Sequence, residues 1–113
     1  MTLRLPLLVL LLSLSLLDAR AEDRKVLVFG DSLSAGYGLQ AGEGWVALLA
    51  ERTQAAGLPV ALVNASISGE TTRGGLRRLS DVIARQRPDV VILELGGNDC
   101  LLYTSDAADD LYR

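Results

Sequence analysis

The chain has 113 residues, half of them hydrophobic, with a formal net charge of −3, one cysteine and no histidine. That length allows one small domain at most, and the lone Cys100 excludes an internal disulfide. Mild acidity without a basic cluster or interleaved aromatics argues against nucleic acid as a partner.

Met1 to Ala21, MTLRLPLLVLLLSLSLLDARA, carries an early Arg4, a leucine-rich run to Leu17 and the small-x-small triplet Ala19-Arg20-Ala21. A basic start, a short apolar middle and a cleavable Ala-x-Ala describe a secretory signal peptide. Leu5 to Leu17 falls short of the ~20 apolar residues that span a bilayer. Residues 1–21 are therefore expected to be removed, leaving an exported chain, periplasmic or secreted, that begins near Glu22. No cysteine stands directly behind the apolar run to carry a lipid anchor.

Lys25 to Phe29, KVLVF, is a continuous apolar run ended by Gly30, the pattern of a strand buried on both faces. Gly44 to Ala56 reads as a helix with Trp45, Leu48, Leu49 and Arg52 on one stripe, Trp45 packing in the core and Gly57 closing the end. Leu58 to Asn64, LPVALVN, is a second strand with Pro59 at its start, where a missing N–H is tolerated. Thr72 to Gln86 predicts a second helix, with Leu76, Leu79, Val82 and Ile83 on its apolar face. Arg73, Arg77, Arg78 and Arg85 are assigned to its solvated side. After Pro88, Asp89 to Leu95, DVVILEL, gives a third strand. In it Glu94 sits among apolar residues and calls for a loop N–H or an arginine as partner.

After Asp99 the character changes: CLLYTSDAADDLYR shows neither sustained alternation nor a helical stripe. Back-translated as TGT CTC TTA TAC ACA TCT GAC GCT GCC GAC, Cys100 to Asp109 resembles read-through of a transposon-based sequencing-library adapter. Residues 100–113 are thus expected to be non-native, and the natural chain to continue beyond Asp99. Asp106, Asp109 and Asp110 are accordingly set aside as acids.

Strands alternating with helices over residues 22–99 imply a parallel α/β sheet with right-handed crossovers. Binding sites in such sheets form outside the carboxyl ends of the strands. GDSLS follows the first strand, NASISGETT the second and GGND the third, so three polar loops share one edge. A serine hydroxyl becomes a useful nucleophile when a base takes its proton and a donor cluster receives the oxyanion. Ser32 lies where a strand turns toward a helix, Gly69 offers an unobstructed backbone N–H, and Asn98 carries a donor carboxamide. Helix capping is the competing role for Ser32 and Ser34, a turn the competing role for Gly69, and Asp31 is read as an anchor of its own loop.

GDSLSAGYG, Gly69 within NASISGETT and Asn98 within GGND resemble the first three blocks of the SGNH (or GDSL) hydrolases. The likeness is greater to the exported bacterial arylesterase, acyl-CoA thioesterase and lysophospholipase group, and covers Lys25 to Asp99. It implies a flavodoxin-like three-layer α/β/α sandwich, of which this chain holds the N-terminal βαβαβ part. It also implies Ser32 as nucleophile, Gly69 and Asn98 as oxyanion donors, a small acyl ester or thioester as substrate, and no cofactor or metal. The family's Asp-x-x-His, which supplies the base and its orienter, has no counterpart in this chain, so the chain by itself is expected to be an inactive fragment. Two other classes fit part of the sequence. One is a non-catalytic ligand-binding domain on the same scaffold. The other is a Rossmann-like nucleotide-binding domain, suggested by the G-x-G-x-x-A of Gly36 to Ala41; however, Gly36 lies six residues beyond Gly30 and the second strand ends in Asn64 rather than an acid.

Overall fold

The computed structural model describes residues 22–100; the signal-like segment 1–21 and residues 101–113 lie outside the described residues. In chain order the elements are β1 (Arg24–Gly30), α1 (Ser32–Ala35), α2 (Trp45–Ala55), β2 (Val60–Asn64), α3 (Thr72–Gln86) and β3 (Val90–Glu94). The sheet has the order β2-β1-β3 and is parallel throughout, with Val26 beside Leu62 on one side and Val90 on the other. This is the α/β arrangement that the β–α rhythm predicts.

The strand order decides where the helices go. From β1 to β2 the chain steps one way across the sheet, and from β2 to β3 it steps back over β1. Right-handed crossovers then put α2 and α3 on opposite faces. Leu27 and Phe29 point to the α3 side and pack with Val82, flanked by Val63, Ala65, Leu79 and Leu95. Val28, one residue out of phase, faces the other way and is equally buried. β1 thus carries apolar side chains on both faces, which explains its unbroken run.

Both helices are rotated from the expected stripes. In α2, Val46 is buried and Leu49, Ala50 and Thr53 are half-buried, following the same inward spacing. Trp45, expected in the core, is 39% exposed and lines an open groove of about 680 Å³ with Leu48, Leu49 and Arg52. In α3 the inward residues are Gly75, Arg78, Leu79 and Val82, while Leu76 is 77% exposed. Close approach is the cause: a Cβ at position 75 would lie 2.6 Å from Leu95 Cδ1 and 3.2 Å from Phe29 Cε1, so only glycine lets α3 settle there. Turning Gly75 to the sheet turns Leu76 away and Arg78 inward, which corrects the assignment of Arg78 to the solvated side.

The helix ends follow local chemistry. α2 closes on Ala56 with Gly57 left-handed behind it; Gly57 N–H donates to Gln54 O and Leu58 N–H to Thr53 O, both at 3.0 Å, a Schellman pair. α3 ends at Arg87, itself left-handed (φ 49°), and Lys25 Nζ donates to Gln86 O at 2.8 Å. The second strand begins one residue after Pro59, whose carbonyl accepts from Arg24 N–H at 2.8 Å. Among the described residues no helix is long and apolar enough to cross a membrane.

Candidate active site

Each strand delivers a polar loop to the same edge, and hydrogen bonds stitch the three loops together. Gly30 N–H donates to Ser66 Oγ (3.0 Å) and Ile67 N–H to Gly30 O (3.0 Å), joining the first loop to the second. Asp31 N–H donates to Glu94 Oε2 at 3.3 Å, joining the first loop to the end of β3. Asn98 Nδ2 donates to Glu70 O at 2.9 Å, joining the third loop to the second.

The serine-bearing turn is organised by acids rather than by serine caps. Asp31 is only 2% exposed; it is the N-cap of α1, and its Oδ1 accepts from Leu33 N–H at 3.0 Å. Ser34 is also buried, and its hydroxyl donates to Glu94 Oε2 at 2.9 Å. A loop N–H is therefore one partner of the strand carboxylate and a serine the other; among the described residues no arginine meets it. Asn64 closes the far side, its Nδ2 donating to Ser34 O at 2.7 Å. Ser32, the first residue of α1, is half-buried, and its Oγ has no hydrogen-bond partner among the described residues. Neither Ser32 nor Ser34 caps the helix.

Gly69 sits third in a turn closed by Glu70 N–H to Ile67 O at 3.1 Å, with φ at +81°. That sign at the third position marks a type II turn and is the reason for glycine there. Glu70, next in the chain, receives Asn98 through its carbonyl and Arg78 Nε through its carboxylate at 3.0 Å. Arg78 NH1 also donates to Ala65 O at 3.0 Å, and the guanidinium stacks 4.2 Å from the Phe29 ring centre. The structure thus brings Asn98 against the residue after Gly69. Ser32 reaches that group through the Gly30–Ile67 backbone pairing and not through its own side chain.

Asp99 caps α3 from outside. Its two carboxylate oxygens accept from Thr72 N–H (2.9 Å) and Thr72 Oγ1 (2.6 Å). The Thr72 hydroxyl, and then the Thr72 N–H, hold its carboxyl below the ordinary value of 3.8. Sequence reasoning assigned Asp99 no role and missed the Glu70–Arg78 pair. The usable signal for the pair was an arginine at i+3 from Gly75, on the inward stripe. The G-x-G-x-x-A stretch lies in the loop between α1 and α2, with Gly36 ending a helix rather than a strand, so the dinucleotide geometry is absent from it. Among the described residues no group of three or more His, Cys, Asp or Glu could hold a metal ion.

A parallel sheet with helices on both faces and its polar loops gathered at the carboxyl edge defines the class of doubly wound proteins that hold small molecules there. Within that class, the chain belongs to the GDSL-like lipase/acylhydrolase family, whose sequence model matches residues 28–112. It is 50% identical over 90 residues to an esterase, TesA, of Pseudomonas aeruginosa, covering 80% of this chain and 45% of that one. It is 44% identical over 95 residues to an arylesterase of Vibrio mimicus, covering 84% and 48%. Among solved structures, the psychrotrophic esterase EstA of Pseudoalteromonas sp., inhibited by monoethylphosphonate, superposes with a TM-score of 0.67 at 51% identity, covering 70% of this chain and 43% of that one. The chain spans about half the length of the curated relatives it matches.

Proposed function

We propose that the whole protein is a serine hydrolase of carboxylic esters or thioesters, with Ser32 as nucleophile. The Ser32 N–H, the Gly69 N–H and the Asn98 carboxamide serve as oxyanion donors. The observation that supports this most is the stitching of three sequence-distant loops at one strand-end edge. An unengaged hydroxyl lies on the first loop and two donors lie on the others. Asn98 has two amide hydrogens; one goes to Glu70 O, leaving the second to turn toward a substrate oxygen. The relatives' names, an esterase and an arylesterase, favour the same chemistry.

In the proposed reaction a base takes the Ser32 proton as Oγ bonds to the acyl carbon. The carbonyl oxygen becomes an oxyanion held by the donors. The alcohol or thiol then leaves with the proton, and water, deprotonated by the same base, releases the acid. The base is assigned to the family's Asp-x-x-His, which has no counterpart among these 113 residues. Leu33 and Ile67, both exposed, flank Ser32 and the Gly69 turn and offer apolar surface to an acyl chain. The signal-like residues 1–21 support export to the periplasm or beyond.

Ser32→Ala in the full-length protein is the test. Hydrolysis of p-nitrophenyl butyrate should fall by about 10⁴-fold or more, as loss of the nucleophile costs up to ~10⁶ in other serine hydrolases. The circular dichroism spectrum should not change. Retained turnover would remove the nucleophile assignment. Acyl-CoA and lysophospholipid assayed beside the aryl ester separate the substrate classes.

A further inference from the structure

The second loop is held at both ends by one side chain. Arg78 NH1 donates to Ala65 O where the loop leaves β2, and Arg78 Nε pairs with the Glu70 carboxylate where the loop enters α3. The Gly69 turn lies between those two points. Glu70 also takes the Asn98 amide on its carbonyl, so the same residue is tied to the third loop. The guanidinium is fixed from behind by the fully buried Phe29 ring, 4.2 Å away. Its remaining nitrogen, NH2, is buried with no partner among the described residues. A fold normally avoids a buried donor left unmet. A planar fork with separate donors can span two acceptors at fixed distance; a lysine ammonium cannot.

We propose that the Arg78–Glu70 pair positions the two oxyanion donors of the esterase site, setting the Gly69 N–H and the Asn98 carboxamide in register with each other. This rests on the assignment of Gly69 and Asn98 made above. Arg78 and Glu70 are positioning residues: neither touches substrate, and they act through the loop they hold. Misplacement of a donor weakens the interaction made in the transition state while leaving ground-state binding nearly as it was. The pair therefore governs kcat and hardly affects KM.

The experiment compares Arg78→Lys, Glu70→Gln and the double variant in the full-length protein with p-nitrophenyl butyrate. Arg77→Lys, at the exposed neighbouring arginine, is the control. Each single variant is expected to lower kcat by about ten- to hundredfold with KM within about twofold, the scale that small misplacements produce. The double variant should lose no more than the worse single, because both break one unit. The backbone amide signal of Gly69 and the side-chain amide signal of Asn98 in ¹H–¹⁵N spectra should shift in both single variants and stay put in Arg77→Lys. Should Arg78→Lys fail to fold, Glu70→Gln, which keeps the side-chain volume, carries the test. Loss of fold in both would overturn the proposal by making the pair a determinant of folding. Unchanged kcat in Arg78→Lys and Glu70→Gln, with Ser32→Ala dead, would overturn the positioning role and leave the esterase reading standing. Turnover surviving in Ser32→Ala would overturn both.

Discussion

Asp99 and Glu94 are two carboxylates at one sheet edge with different partners. Glu94 works on the serine turn, receiving Asp31 N–H and Ser34 Oγ. Asp99 works on a helix start, and Thr72 holds its carboxyl below 3.8. A carboxyl whose folded-state value is depressed adds stability that is present above its unfolded value. That stability disappears as pH falls through the lower folded one. The Asp99 contribution is therefore expected to be complete at neutral pH and to vanish in the window below about pH 4. Asp99→Asn should flatten the acid limb of the stability curve there, read as the urea midpoint between pH 2 and 6; an unaltered limb would show that Thr72 does not depend on the charge. At this scale the sequence is legible where placement is local. Ser32, Gly69 and Asn98 each follow the end of a strand by a few residues, so their place at the edge can be read from the β–α rhythm. Glu94 is 63 residues from Asp31, and Asp99 is 27 from Thr72, so their partnerships follow only from the folded sheet.

The three strands and the two longer helices were readable almost to their ends, the short α1 was not given a range, and the helix faces were read only in part. Thr72–Gln86 appears as expected, and the strands differ by a residue or two at their margins, where pairing stops. Apolar spacing put Leu79 and Val82 of α3 on the inner face but also Leu76, which turns outward, and in α2 it favoured Trp45 over Val46, because each helix presents two partly apolar stripes. What chose between them was packing: Gly75 admits close contact with Phe29 and Leu95, and Val46 is 5% exposed beside the exposed Trp45. The C-terminus of α3 carries a further consequence. Arg87 adopts φ 49° and ψ 55°, a left-handed conformation that a side chain makes costly. Arg87→Gly relieves that cost and gives back part of it as backbone entropy of the unfolded chain. A net gain of about 0.5–1 kcal/mol is expected, measured as a higher urea midpoint with unchanged slope in the full-length protein. A lower midpoint would mean that the Arg87 side chain contributes contacts worth more than the strain.

Across the whole molecule the burial is uneven. Leu27, Val28 and Phe29 are sealed, while β3, paired only to β1 among the described residues, leaves Val90, Val91 and Leu93 substantially exposed, Leu93 at 60%. An apolar edge strand invites pairing with another copy. The 113-residue chain expressed alone is therefore expected to self-associate with rising concentration. Leu93→Lys should reduce that association in size-exclusion chromatography with light scattering. Equal association in both would place the sticky surface elsewhere, the Trp45 groove first. Sequence pattern showed that β3 is apolar and third in order. Which flank of it stays open is a property of the β2-β1-β3 arrangement.

That arrangement also sets a timetable. The central strand is the earliest of the three to leave the ribosome, yet both neighbours that complete its hydrogen bonding are made afterwards, and residues as far apart as Asp31 and Glu94 meet only at the end. Until then its stretch of valine, leucine and phenylalanine lacks the strands on either side and the α3 residues that bury it in the finished fold. The interval between synthesis of its first strand and its third is therefore the one in which a newborn chain of this design is most exposed to sticking.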